Sequence, residues 1–542
     1  MNKKLELADI QGNVLRAYGR FGYPAARYVC LNVKNEIRGR DFIAAVTERV
    51  TTAIDWSTED GKKLKPNWTA NIAFSYQGLR KLGLPRASLV EFSPEFSQGM
   101  KARKDILGDQ GPSAPENWDP VWERNGKDFE SNVHILITLN GLMPAPVTED
   151  ANGMQEAREA SLEHREQAYE WLLEVVKEHD DGVAVLGGHC GANGEKFDYQ
   201  DADVLFEDGM PTAKEHFGYH DGISDPVIEG VPYDEGRVEG RGKLLEGGKW
   251  APLATGEFLF GHIDEAHEYP PAPRPILLSR NGTYMVFRKL HENVGTFNAF
   301  LSEHGKKYPG GEELLAAKFV GRWKDGTPLV LAPNEEKRKA FQDKLKEASL
   351  EEQERMLSDF SYEDDMSGAK CPFSAHMRRI NPRGSLEQVA GEVPGSMIRS
   401  MKGENEGAFD TPGALANRRR IMRRGLPYGT VSDRTSDKGN HGIVIMMLNA
   451  NINREFEFVQ QQWINYGNDF KAANDKEILL GNHNIDGKSP SKAVIQVDPE
   501  SDDVPYIVSD IPLLVETRGG DYFFVPSMTA LRLIARGVID PT

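Results

Sequence analysis

The chain has 542 residues, a net charge of −18 and a mean hydropathy of −0.53. No uncharged run approaches the ~20 residues of a spanning helix, and the acidic balance excludes nucleic acid or an anionic membrane as the main partner, since both need basic surface. Three distant cysteines, Cys30, Cys190 and Cys371, exclude a disulfide framework and any CxxC zinc site.

The N-terminus, MNKKLELADIQGN, carries two lysines but no apolar stretch of about 7–15 residues behind them, so a cytoplasmic protein is expected. Residues 27–33 (RYVCLNV) predict a buried strand. A helix over 39–54 follows, with Phe42, Val46, Val50 and Ile54 on one stripe. A strand at 69–74 comes next, then a short helix through Leu79 and Leu82 that stops at Gly83-Leu84-Pro85. Residues 86–131 read as irregular. In NVHILITLN, Val133, Ile135, Ile137 and Leu139 alternate as in a half-buried strand. A charged helix fills about 152–178, and GVAVLGG (182–188) is another strand. This βα(β)…βαβ order predicts a ferredoxin-like α+β sandwich.

In the second half, strands are predicted at 256–260, 283–288, 442–448 and 522–525, and helices at 293–304, 312–319, 453–466 and 527–536. The stretch 334–356 reads as one charged, solvated helix, and 384–414 as a long loop. Length alone suggests about three or four domains, and the 53 Gly and 31 Pro point to a loop-rich chain.

Three clusters carry chemistry: EHFGYHDGISDP with Asp221, CPFSAHMRRINPR with His376, Arg378, Arg379 and Arg383, and NRRRIMRRGLPYG with Arg423 and Arg424. Each has an ordinary reading. Asp-Gly closes hairpins, a lone His is commonly a hydrogen-bonded structural residue, and an arginine run is commonly a solvated face. The ordered set is more specific. GYHDG (218–222), CPFSAHMRRINPR (371–383) and IMRRGLPYG (421–429), in that order, resemble the dye-decolourising peroxidases. DIQGNVLRAYG (9–19), AFSYQGLRKLGLP (73–85), LGDQGPSAPENW (107–118), FVGRWKDGTPLVLAP (319–333), FEFVQQQW (456–463) and RGGDYFFVPS (518–527) also look like that family, so the resemblance covers nearly the whole chain and is nearest its long, loop-rich branch.

The resemblance implies two ferredoxin-like halves, 1–210 and 211–542, with one heme b per chain in the second. It implies His376 as the axial ligand of the iron, with Arg378, Arg379 and Arg383 as candidates to pair with heme propionates. Asp221 and Arg423 are implied as the distal base and cation that cleave the O–O bond of hydrogen peroxide. Met446 and Leu448 stand where pocket-lining residues are expected. The implied partners are hydrogen peroxide and an organic donor such as a dye or phenol. The chain itself is expected as a monomer or homodimer. An Asp base, with a reference pKa of ~3.9, implies best activity in acid.

Some positions depart from the family pattern. Asn451 stands where many relatives have Asp, leaving Glu455 or Glu457 as candidate carboxylates for the ligand histidine. Asp225-Pro226 replaces Gln-Pro, and 47 positions separate His376 from Arg423. Trp323, Trp463, Tyr428 and Tyr522 lie in family-like segments and read as core packing. Three other readings compete: a heme-thiolate enzyme ligated by Cys371, a protein that carries heme or releases its iron, and a non-heme metal hydrolase built on His189, His216 and His220.

Overall fold

The run predicted as a strand at 27–33 forms β1, Ala25–Val33, and all nine of its residues are buried. The computed structural model describes residues 4–539 apart from 60–61, 124–131, 234, 246–247, 387–412, 486–490 and 502. α1 spans Glu36–Thr47, with the Asn35 side chain accepting from the Arg38 amide as its cap. It is shorter than the helix predicted over 39–54. Val50 and Ile54 lie beyond its end, and Ile54 is exposed, so the apolar spacing ran on past the helix. β2 is Trp68–Phe74 and β3 is Ile135–Gly141. Between them, the stretch read as irregular holds a series of short helical turns, among them Arg86–Leu89, Pro94–Gln98 and Lys104–Leu107.

α2, Ala151–Glu178, buries Ala157, Ser161, Arg165, Ala168, Leu172 and Val175, one stripe at helical spacing. β4 (Val183–Val185) and β5 (Gln200–Asp203) both pair antiparallel with β1. β1 is thus paired along both edges, by β3 on one and by β4 and β5 in succession on the other.

The second half opens with β6, Thr283–Glu292, followed by α3 (Val294–Gly305) and α4 (Gly311–Val320). The predicted strand at 256–260 is instead a buried turn, with a short 3₁₀ segment at Thr255–Glu257; a short apolar run does not tell a strand from a buried turn. The single helix predicted over 334–356 is two, α5 (Glu335–Glu347) and α6 (Leu350–Ser358), the second restarted by the Ser349 cap. α7 is the short His376–Ile380. Most of the loop predicted at 384–414 lies outside the described residues.

β7 (Met422–Tyr428) is a strand within the IMRRGLPYG motif, whose residues carry no strand pattern. β8 (Gly442–Asn449) leads into wide π-type helical turns at Asn453–Glu457 and Val459–Ile464. β9, Val515–Val525, is longer than the predicted 522–525, because Gly519-Gly520 hid its first half. α8, Met528–Arg536, closes the chain.

One sheet runs β7-β8-β6-β9-β2-β3-β1-β4, with β5 also on β1. Each half has the order second-third-first-fourth with antiparallel pairs, the ferredoxin-like arrangement. The halves join through the single pair Phe524–Phe74, and α8 returns to pack on α1. β7 lies against β5, so the sheet curls and its far strands meet. β5 ends at Asp203 and β6 begins at Thr283, and the proposed domain boundary after residue 210 falls in that interval.

Candidate active site

A cavity of about 310 Å³ lies between the β6–β9 sheet face and the layer formed by α7 and the π-type turns. Asp221, Arg423, His376 and Arg383 all line it. Alternation along β7 separates its two central arginines. Arg423 faces the cavity and hydrogen-bonds Asp221. Arg424 points to the other face, where it donates to Asp225 at 2.9 Å and to the carbonyls of Asn13 and Val14. Asp225 thus has a guanidinium partner of its own.

Asp221 sits at the end of a tight turn. Gly218 and Gly222 take left-handed backbone angles, φ 97° and 68°, which favour glycine. The Glu215 carboxylate accepts from the amides of Phe217 and Tyr219, both at 2.7 Å, and the Asp221 amide donates to the Ala213 carbonyl. Burial pushes the Asp221 carboxyl up, but the charge and hydrogen bond of Arg423 outweigh it and hold the group below the usual carboxylate range. The side chains keep 30% (Asp221) and 39% (Arg423) of their surface open.

His376 begins α7, and its Nδ1 lies 3.4 Å from Glu477 Oε1, just long for a well-formed hydrogen bond. Glu477 is fully buried and also accepts from the amides of Leu479 and Leu480. Burial pushes its carboxyl up; His376 and those amides pull it down further, so it stays ionised. An ionised Glu477 assigns the proton to Nδ1 and leaves Nε2 as the lone-pair nitrogen. The carboxylate beside His376 is thus neither Glu455 nor Glu457. Glu457 pairs with Arg103 and accepts from Tyr522, and Glu455 lies against Arg454. Glu477 stands 101 positions after His376 with no local pattern to mark it.

The structure does not bring Arg378 or Arg379 to the cavity. Arg378 is fully buried and donates to Asp365 at 2.8 Å and to the Cys371 carbonyl. Arg379 is spent on the carbonyls of Phe373, Trp463, Tyr466 and Asp475. Both brace the segment that presents His376. Asp365→Ala would strand a buried guanidinium, and a loss of about 3–5 kcal/mol is expected in chemical denaturation.

Arg383 does reach the cavity, and Arg322, Arg419 and Arg420 line it too. None of these four has a carboxylate partner among the described residues. Their hydrogen bonds go to backbone carbonyls, and Nε of Arg383 and Nε and Nη2 of Arg322 are buried without a partner. Burial holds Arg322 and Arg420 down to about 9 and Arg383 and Arg419 to about 10. This margin is chemically suited to anions.

The β8 expectation is off by one residue. Ile443, Ile445 and Met447 line the cavity, whereas Met446 faces a second cavity of about 370 Å³ and Leu448 is core. A one-residue slip on a strand exchanges its faces. Trp323, Trp463, Tyr428 and Tyr522 are each 1% exposed. Cys371 is packed with Val330, Phe360, Tyr362 and Ala375, and burial pushes its thiol up to about 12, which opposes a thiolate ligand. Among the described residues no group of three His, Cys, Asp or Glu is arranged to hold a metal, and Gly218 forms a turn between His216 and His220.

Comparison with known proteins gives consistent matches. Residues 9–173 match the family model described as the DyP dimeric alpha+beta barrel domain. A dye-decolorizing peroxidase of Mycena epipterygia is 30% identical over 494 residues, covering 87% of this chain and 77% of that one. Dye-decolorizing peroxidase msp1 of Mycetinis scorodonius is 28% identical over 348 residues, covering 60% of this chain and 58% of that one. The solved structure of an ancestral D-type dye decolorizing peroxidase superposes with a TM-score of 0.68 at 24% identity, covering 98% of this chain and 99% of that one.

Proposed function

The chain belongs to the dye-decolourising peroxidase family, and from that premise we propose that it binds one heme b and uses hydrogen peroxide to oxidise dyes, phenolics or similar organic donors at the cavity between Asp221–Arg423 and His376. The observation that carries this reading is that one cavity holds all three residues, with Glu477 behind the histidine. The residues present fit the cofactor. His376 would hold the iron through Nε2, and Arg322, Arg383, Arg419 and Arg420 supply guanidinium groups that two propionates would neutralise.

When bound, heme supplies a redox-active iron that receives peroxide and takes up its oxidising equivalents. The chain's own residues handle protons and charge. Asp221 would take a proton from one oxygen of bound peroxide and return it to the departing oxygen. Arg423 stabilises negative charge on that oxygen and keeps Asp221 ionised. The Glu477 carboxylate faces Nδ1 of His376 and, by favouring a proton there, would strengthen donation through Nε2. Ile445 and Met447 form an apolar wall beside this pair. The 2,6-dimethoxyphenol complex of a structural relative supports phenolic donors as one class to test.

Glu477→Gln is expected to lower the iron–histidine stretching frequency of the ferrous protein and to reduce peroxidase turnover roughly 10–100-fold. Resonance Raman spectroscopy with steady-state assay of a phenolic donor checks this; an unmoved stretch would remove Glu477 from the role. A heme carrier has no use for an Asp–Arg pair, so peroxide-dependent dye oxidation by the purified protein separates the two readings.

A further inference from the structure

Behind Asp221 lies a second buried acidic group that the peroxide chemistry leaves unused. Glu292, at the end of β6, is 3% exposed and lines the same cavity as Glu215 and Asp221. Its carboxyl lies against that of Glu215, and its Oε2 is buried without a hydrogen-bond partner. Two carboxyl oxygens can hydrogen-bond only if one carries a proton. The two oxygens of Glu215 already serve the amides of Phe217 and Tyr219, which favours its ionised form and leaves the proton to Glu292.

Charge accounting agrees. The groups facing the pair are Asp221 and Arg423 on the cavity side, His216 and Tyr219 of the turn, His441 before β8 and Tyr428 at the end of β7. Burial holds His441 down to about 4 and pushes His216 below its usual value, so both favour the neutral form. Arg423 is the only cation of the six and is already paired with Asp221. Burial, then the charge of Glu215, pushes Glu292 well above the carboxylate range. Two ionised carboxyls in contact at this depth are unfavourable, and they titrate as a pair.

We propose that Glu292 is a positioning residue: it shares one proton with Glu215, holds the turn that presents Asp221, and releases that turn when the proton is lost at alkaline pH. Glu292 is fixed on a central strand and Glu215 belongs to the turn, so repulsion between them displaces the turn and Asp221 with it. The catalytic consequence rests on the peroxidase reading above; the shared proton does not.

The test combines infrared spectroscopy of the holoprotein across pH with the pH dependence of its reaction with hydrogen peroxide. A protonated-carboxyl C=O band is expected to persist to higher pH than ordinary carboxyls allow, and to be absent from Glu292→Gln. In that variant the amide still donates to Glu215 but cannot ionise. Its alkaline limb, scaled to the variant's own maximum, is expected to move up by roughly one unit. A wild-type protein without the band, or a band retained in the variant, overturns the shared proton. A band with an unmoved alkaline limb overturns the positioning role. Failure to react with peroxide at every pH counts against the peroxidase reading, and the band alone then decides the shared proton.

Discussion

Asp221→Asn is expected to slow the reaction with hydrogen peroxide by ~10²–10⁴-fold, the usual worth of a positioned acid–base group, while heme content stays at the wild-type level. Asn cannot take a proton from peroxide, and Arg423 loses its counter-charge. The wild-type pH dependence follows from the same pair. Burial raises the Asp221 carboxyl and Arg423 lowers it further, so its folded value lies below the ordinary one. A depressed carboxyl is ionised above its folded pKa and loses its basic form only as pH falls through that value. The acid limb of peroxide activation should therefore lie below the ordinary carboxylate range, so that activity persists into acid. Arg423→Leu removes the lowering influence and leaves burial, so its acid limb should move to higher pH as the rate falls. Stopped-flow rates across pH check both; a wild-type acid limb at or above the ordinary carboxylate range would contradict the assignment.

His376→Ala should have the larger structural consequence. Without Nε2 the cofactor has no axial donor from α7, and the purified variant should lose its Soret absorption or show altered ligation, with turnover down by more than about 100-fold. Added imidazole should restore part of both. Cys371→Ser is expected to leave the Soret band unchanged, since the thiol is packed with Phe360 and Tyr362 and does not line the cavity. The spectrum of the ferrous carbon monoxide complex distinguishes imidazole from thiolate ligation.

The contrast among these residues shows what a sequence exposes. The strands β1, β2, β3 and β8 were legible because apolar runs or alternation mark them. β7 was not, since its Arg-Arg-Gly-Leu-Pro content carries no strand signal and only pairing with β8 defines it. That pairing also decides why Arg423 meets Asp221 and Arg424 meets Asp225, a choice that one residue of spacing leaves open. The same alternation corrects Met446 and Leu448 to Ile445 and Met447. Motif order pointed to His376, Asp221 and Arg423 because their types and sequence fit one chemistry. Glu477, Arg322 and Arg420 were missed because they come from distant segments brought together only by folding. Arg378 and Arg379 were misleading for the opposite reason: adjacency to a ligand histidine suits bracing a segment as well as binding an anion.

The most direct test of the central claim is the absorption spectrum of the purified protein before and after one equivalent of hydrogen peroxide. A Soret band that shifts on addition and returns when a phenolic donor follows is the expected result. A protein without a Soret band after reconstitution, or one whose band does not respond to peroxide, would contradict a heme peroxidase built on His376, Asp221 and Arg423.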